Sequence, residues 1–166
     1  SSQIFIVKNG AGDVYWPGFG INNIGNMQAG KGYQINMNAA ASLTFASNET
    51  VLPQLKKVEQ NLTFQHFESV EKTSNHAHLL IPKQAWKFDI QTGDEVAVYN
   101  QDNTLVGAAV YNDAPLAITV FDDDMKSNAL LKFNVWQIAK DKVSTLNMND
   151  LQEIVYQNDA VTVVNH

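Results

Sequence analysis

The chain has no cysteine and no arginine in 166 residues. Without cysteine there is no thiol nucleophile, no zinc–thiolate centre and no disulfide. The lack does not fix a compartment, because exported bacterial chains also do without cysteine. All 11 basic side chains are lysine, against 17 carboxylates, for a formal net charge of -6 and an isoelectric point near 5.0. Arginine's planar fork is the usual grip on phosphates and guanine edges. An acidic chain without it is poorly suited to nucleic acid and to anionic membrane surfaces. No apolar run reaches the roughly 18 residues a membrane helix needs, and no signal-peptide pattern is visible. The first residues are Ser1-Ser2 rather than Met, which reads as an excised or processed piece of a longer chain.

What is present is a globular composition, 45% hydrophobic, enough for a sizeable core and against general disorder. The apolar signal comes in short runs. Ile4-Phe5-Ile6-Val7, a turn over Asn9-Gly10-Ala11-Gly12-Asp13, and Val14-Tyr15-Trp16 form a hairpin pattern closed by Pro17-Gly18. Strands are also predicted at 33–37, 42–45, 62–70, 76–81, 95–99, 104–111, 116–121, 130–138, 151–155 and 160–164, with a short helical turn after Pro82. Over 130–138, Leu131, Phe133 and Val135 alternate with Lys132, Asn134 and Trp136. Turns every ~8–12 residues and no long helical period indicate an all-β fold, an antiparallel sandwich or barrel-like arrangement of two small β-rich subdomains. Their predicted bounds are 1–47 and 60–166, with a polar connector at 48–59 that carries Asn48, Glu49, Pro53, Lys56 and Lys57.

Two groups of motifs are familiar together. Ile6-Val7-Lys8, Tyr15-Trp16-Pro17, Asn22-Asn23-Ile24-Gly25 and Gly30-Lys31-Gly32-Tyr33 make up the first. Gly93-Asp94-Glu95, Val106-Gly107, Val110-Tyr111, Ala117-Ile118-Thr119-Val120 and the acidic run that follows make up the second. Covering most of the chain, this pattern resembles accessory β-rich modules of large secreted or cell-surface Bacteroidetes proteins. The resemblance implies an extracellular or cell-surface location, neighbouring domains in a parent chain, and no assigned chemistry. In such modules a Trp-containing strand precedes the "IVK" strand; its absence here implies a first subdomain that is either incomplete or completed by another segment.

Several constellations have both a functional and a plain structural reading. Asp122, Asp123 and Asp124, with Asp94 and Glu95, supply the oxygens a calcium ion prefers, but not at EF-hand spacing; otherwise they are solvated turn residues. No cofactor other than calcium is indicated. Tyr15, Trp16, Phe19 and Tyr33 form either an aromatic platform for sugar rings or peptides, or part of the core. His76 and His78 share one strand face, either as a metal pair lacking a third ligand or as two surface histidines. Trp86 and Trp136 read as core. Gly18-Phe19-Gly20 and Gly30-Lys31-Gly32 lack the strand-to-helix setting of a nucleotide loop. No nucleophile elbow or activated base is framed by any serine or histidine. The chain is therefore expected to be not an enzyme but a non-catalytic extracellular adhesion or binding module that recognises polysaccharide or a surface protein. A structural spacer is the alternative and a hydrolase the distant one.

Overall fold

The computed structural model describes residues 3–44, 63–146 and 153–164. The chain divides into two compact units, 1–59 and 60–166; the expected connector at 48–59 lies outside the described residues. The protein is all-β. Among the described residues, the helical pieces are two short 3-10 turns, Pro17–Phe19 and Lys83–Ala85.

The first unit holds one antiparallel sheet of β1 (Ile4–Asn9), β2 (Val14–Trp16), β3 (Ile21–Asn22) and β4 (Tyr33–Met37), in the order β3-β2-β1-β4. The β1–β2 turn is closed by a side chain that imitates backbone. Asn9 Oδ1 accepts from the Ala11 and Asp13 N–H groups at 2.9 Å each, and its Nδ2 donates to Asp13 at 3.0 Å. Gly12, at φ 78°, supplies the left-handed step beside it. Pro17 cannot extend the ladder and begins a 3-10 turn that delivers β3 back to β2. Ile6, Val7, Val14, Trp16 and Ile21 are buried. The strand expected at 42–45 does not form: residues 42–44 are exposed and outside any strand, since so short a run supplies no face to bury, and Phe45 lies outside the described residues.

The second unit is a sandwich of two sheets. β5 (His76–Ile81), β8 (Leu116–Phe121) and β11 (Val161–Val163) form one, in the order β11-β5-β8. β6 (Glu95–Tyr99), β7 (Leu105–Val110), β9 (Lys132–Gln137) and β10 (Lys142–Leu146) form the other, in the order β10-β9-β6-β7. Alternation decides what enters the core. Leu79 and Ile81 of β5, Ile118 and Val120 of β8, Val96 and Val98 of β6, and Phe133 and Val135 of β9 meet between the sheets. Each such side chain contributes about 1.5–3 kcal/mol by leaving water. β7 passes close to β8 at Gly107, where an added β-carbon would sit 2.9 Å from the Thr119 carbonyl oxygen. Trp86 belongs to this core, beside Phe88 and Tyr111.

The expected all-β sandwich is present, with one parallel pair, β11 on β5, among antiparallel ladders. Two expected strands need correction. Residues 63–70 form no strand, and the amides of Gln65, His66 and Phe67 are engaged by a side chain rather than by a neighbouring strand, as described below; Leu62 lies outside the described residues. Of the strand expected at 151–155, only the isolated bridge of Val155 to Leu130 exists among the described residues.

Candidate functional site

The second unit carries an open groove of about 890 Å³. Its walls come from three places. Residues 68–73 form one side, the β6–β7 turn with the start of β7 a second, and the loop after β8 a third. Among the described residues, six carboxylates line it, Glu68, Glu71, Asp102, Asp122, Asp123 and Asp124, with one lysine, Lys126. Between them lie the polar groups of Ser69, Thr73, Asn100, Gln101 and Thr104, and an apolar strip of Leu105, Val106 and Phe121.

These walls are held by side chains acting on backbone. Asn100 Oδ1 accepts from the N–H groups of Asp102 and Thr104 at 3.0 and 2.9 Å, which closes the β6–β7 turn. Asn103 takes φ 61° in that turn, and Lys132 Nζ reaches it from β9, 2.8 Å from Asn103 Oδ1 and 3.2 Å from the Gln101 carbonyl. Asn100 Nδ2 donates to Asp122 at 2.9 Å, tying the turn to the acidic loop. Asp122 Oδ1 also accepts from the Asp124 N–H at 2.9 Å. Asp123 accepts from the Asn75 N–H at 2.8 Å. Beneath this loop the buried phenol of Tyr156 is held above its ordinary pKa, first by burial and then by the charges of Asp122, Asp159 and Asp123.

The five carboxylates expected to gather around calcium are split. Asp122, Asp123 and Asp124 line the groove, whereas Asp94 and Glu95 sit at the far end of β6, the end that pairs with Val110 rather than Leu105. Both are buried and already occupied. Asp94 accepts from the Gln91 and Ile138 N–H groups at 3.0 and 2.9 Å. Glu95 accepts from the consecutive N–H groups of Gln65, His66 and Phe67, with 2.7 Å to Phe67. A carboxylate sunk among backbone donors has its lone pairs committed there. Among the described residues, no three His, Asp or Glu side chains gather as a metal-holding group.

The four aromatics do not form one platform. Trp16 is 1% exposed and packs edge-on against Phe5 and Phe19, with ring centroids 5.6 and 5.4 Å away. Its ring faces are therefore closed to a ligand. Tyr15 neighbours Trp16 in β2 and so points to the opposite side of the sheet. The register places Tyr15 and Ile35 both opposite Val7, and Tyr33 on the face of Ile35. Tyr15 and Tyr33 thus share a face that Trp16 and Phe19 do not, and Tyr33 Oη accepts from the Gln28 N–H at 2.9 Å.

His76 and His78 do share a face of β5, their rings 5.1 Å apart, but they are buried rather than on the surface. His78 Nδ1 lies 3.2 Å from Thr119 Oγ1, and His76 Nδ1 lies 3.3 Å from the Ser74 carbonyl. The register stands Thr119 and Phe121 of β8 opposite His78 and His76.

Glu68, Glu71, Asn100 and Asp102 were not singled out by the sequence reading. For Asn100 a signal existed, since an Asn two and four residues before further turn residues is an Asx-turn pattern. For Glu68 and Glu71 there was none, because their place depends on the capture of the preceding amides by Glu95. No family model, no curated protein and no solved structure matches the chain.

Proposed function

We propose that the chain is a non-catalytic binding module of a larger secreted or cell-surface bacterial protein, and that the groove of the second unit receives a segment of polysaccharide. The observation that carries this reading is the groove itself. At about 890 Å³ it falls in the size range of ligand sites. Its lining offers carboxylates, carboxamides and hydroxyls beside an apolar strip, the mixture that suits sugar hydroxyls on one side and C–H faces on the other. The motif resemblance to accessory modules of secreted Bacteroidetes proteins points the same way.

Among the described residues the lining carries six carboxylates and one lysine, with Lys132 reaching the adjoining turn, and this excess of negative charge selects further. The local field repels uronates and sulfated chains and favours neutral or amine-bearing glycans. An acidic glycan would need a calcium ion between its own carboxylates and those of Asp122, Asp123 and Asp124.

A glycan array tests this, run on the folded chain with calcium and again with chelator. The expected result is saturable binding to neutral or amino sugars, lost on Asp102→Lys together with Asp124→Lys. Binding to uronates that disappears in chelator would place calcium at the acidic loop. Silence under both conditions from a folded sample overturns the sugar reading in favour of a spacer or a protein-binding module.

A further inference from the structure

The geometry points to Glu95 as the positioning residue of the groove: a buried carboxylate that sets one wall without lining the site. This rests on the groove being the binding site.

Glu95 is the first residue of β6 and 0% exposed. It stands opposite Trp136 of β9 and Val110 of β7. Its neighbour Val96 enters the core, so Glu95 points to the outer face of the sheet. An isolated carboxylate there would cost several kcal/mol in lost hydration. Here its two oxygens are seated by three successive amides, those of Gln65, His66 and Phe67. Successive N–H groups converging on one anion form a nest, and this nest is filled by a side chain about 30 residues further along.

A second contact acts at the same place. The His66 ring lies flat on Trp136, centroids 5.4 Å apart and planes 7° apart, and Trp136 is itself fixed by its Nε1 donating to Asp141 at 3.1 Å. The chain from residue 63 to 70 has no strand or helix of its own, so these contacts decide where it runs.

Immediately after the nest come Glu68, Ser69, Val70, Glu71 and Thr73, one wall of the groove. The far end of that wall is pinned at Asn75, whose backbone and side-chain nitrogens donate to Asp123 at 2.8 and 3.3 Å. The wall is a strap with two anchors, one under Glu95 and one on the acidic loop. Release of the first anchor leaves the core sheets intact but frees Glu68 and Glu71 to leave the groove. Glu95 thereby acts on ligand affinity through backbone it holds.

Amide hydrogen exchange on the full chain separates this role from a general contribution to stability. Glu95→Gln keeps the volume but sets an NH2 against amide donors. The expected result is exchange at least about tenfold faster at residues 65–73, with β5, β8 and β9 unchanged. His66→Ala, at an exposed side chain, is expected to give the same pattern more weakly, and it carries the test if Glu95→Gln does not fold. Unchanged exchange at 65–73, or acceleration spread evenly over the core, overturns the assignment. The second arm uses immobilised neutral hexasaccharides. Those that bind the wild type are expected to bind Glu95→Gln about tenfold more weakly, about 1.4 kcal/mol; equal affinity overturns the positioning role. If none binds the wild type, the sugar reading fails, and the exchange arm still decides what Glu95 does.

Discussion

Gly107→Ala tests how closely β7 and β8 approach in the second unit. A β-carbon at residue 107 would meet the Thr119 carbonyl oxygen at 2.9 Å, Ile118 Cγ2 at 3.1 Å and Val120 Cγ2 at 3.3 Å. The first of these is about half an ångström inside ordinary contact, and it involves backbone. β8 cannot retreat freely, since it is registered residue by residue against β5 from His76–Phe121 to Ile81–Leu116. Overpacking of this kind costs about 1–3 kcal/mol. Replacing a strand glycine returns about 0.5–1 kcal/mol of chain entropy, so the net loss is about 0–2.5 kcal/mol, centred near 1 kcal/mol. For a domain near 100 residues a loss of about 1 kcal/mol lowers the melting temperature by roughly 4–8 °C. Scanning calorimetry of the full chain reads the shift, with urea unfolding as a second measure. Gly18→Ala, whose added carbon meets nothing within 4 Å, is the control and is expected within ~0.5 kcal/mol of wild type. A Gly107→Ala chain that melts above the wild-type temperature would refute the close approach and the sheet spacing derived from it.

Asp94→Ala removes the acceptor of two N–H groups, those of Gln91 and Ile138, from a site 1% exposed; the expected loss is about 2–3 kcal/mol, read from the urea midpoint. Burial raises the phenol pKa of Tyr111 and of Tyr156 above the ordinary value. A folded-state pKa above the unfolded one gives stability that is complete below the unfolded phenol's pKa of about 10 and is lost as pH rises through the folded value. Tyr111→Phe and Tyr156→Phe should therefore each remove a late-titrating part of the phenolate absorbance; loss of an early part instead would contradict the burial.

Much of the ladder was legible in the sequence because it depends on alternation and turn chemistry. Ile4–Asn9 with its Asn9 turn, Glu95–Tyr99, Leu116–Phe121 and Lys132–Gln137 all appear where the pattern places them. Lys142–Leu146 was missed because it is a largely exposed edge strand in which Leu146 packs against the core without an alternating apolar pattern to announce it. The alternation of Phe64 and His66 was misleading for the opposite reason. It is real, but the amides beside it are claimed by Glu95, a tertiary event no local period records. The same limit applied to the carboxylates. Asp94 and Glu95 look like loop ligands in sequence, and only their hydrogen bonds and burial in the fold show that they face backbone donors rather than solvent. For the aromatics, strand parity was enough to separate Tyr15 from Trp16, but which side was closed depended on Phe5 and Phe19.

The parallel pairing of β11 with β5 has a mechanical consequence. The register runs Val161–His78 to Val163–Leu80, and it is extended by His78 N–H to the Ala160 carbonyl at 2.9 Å and Val164 N–H to the Leu80 carbonyl at 2.8 Å. Tension that reaches β5 from its N-terminal side and β11 from its C-terminal side pulls the two strands along their own axis in opposite directions. The bonds between them are then loaded together, in shear, instead of being peeled one after another as at the end of an antiparallel hairpin. Single-molecule stretching should find this ladder to be the force-bearing clasp of the second unit, with Val164→Pro, which deletes the N–H that bonds the Leu80 carbonyl, lowering the rupture force; an unchanged force would place the clasp elsewhere.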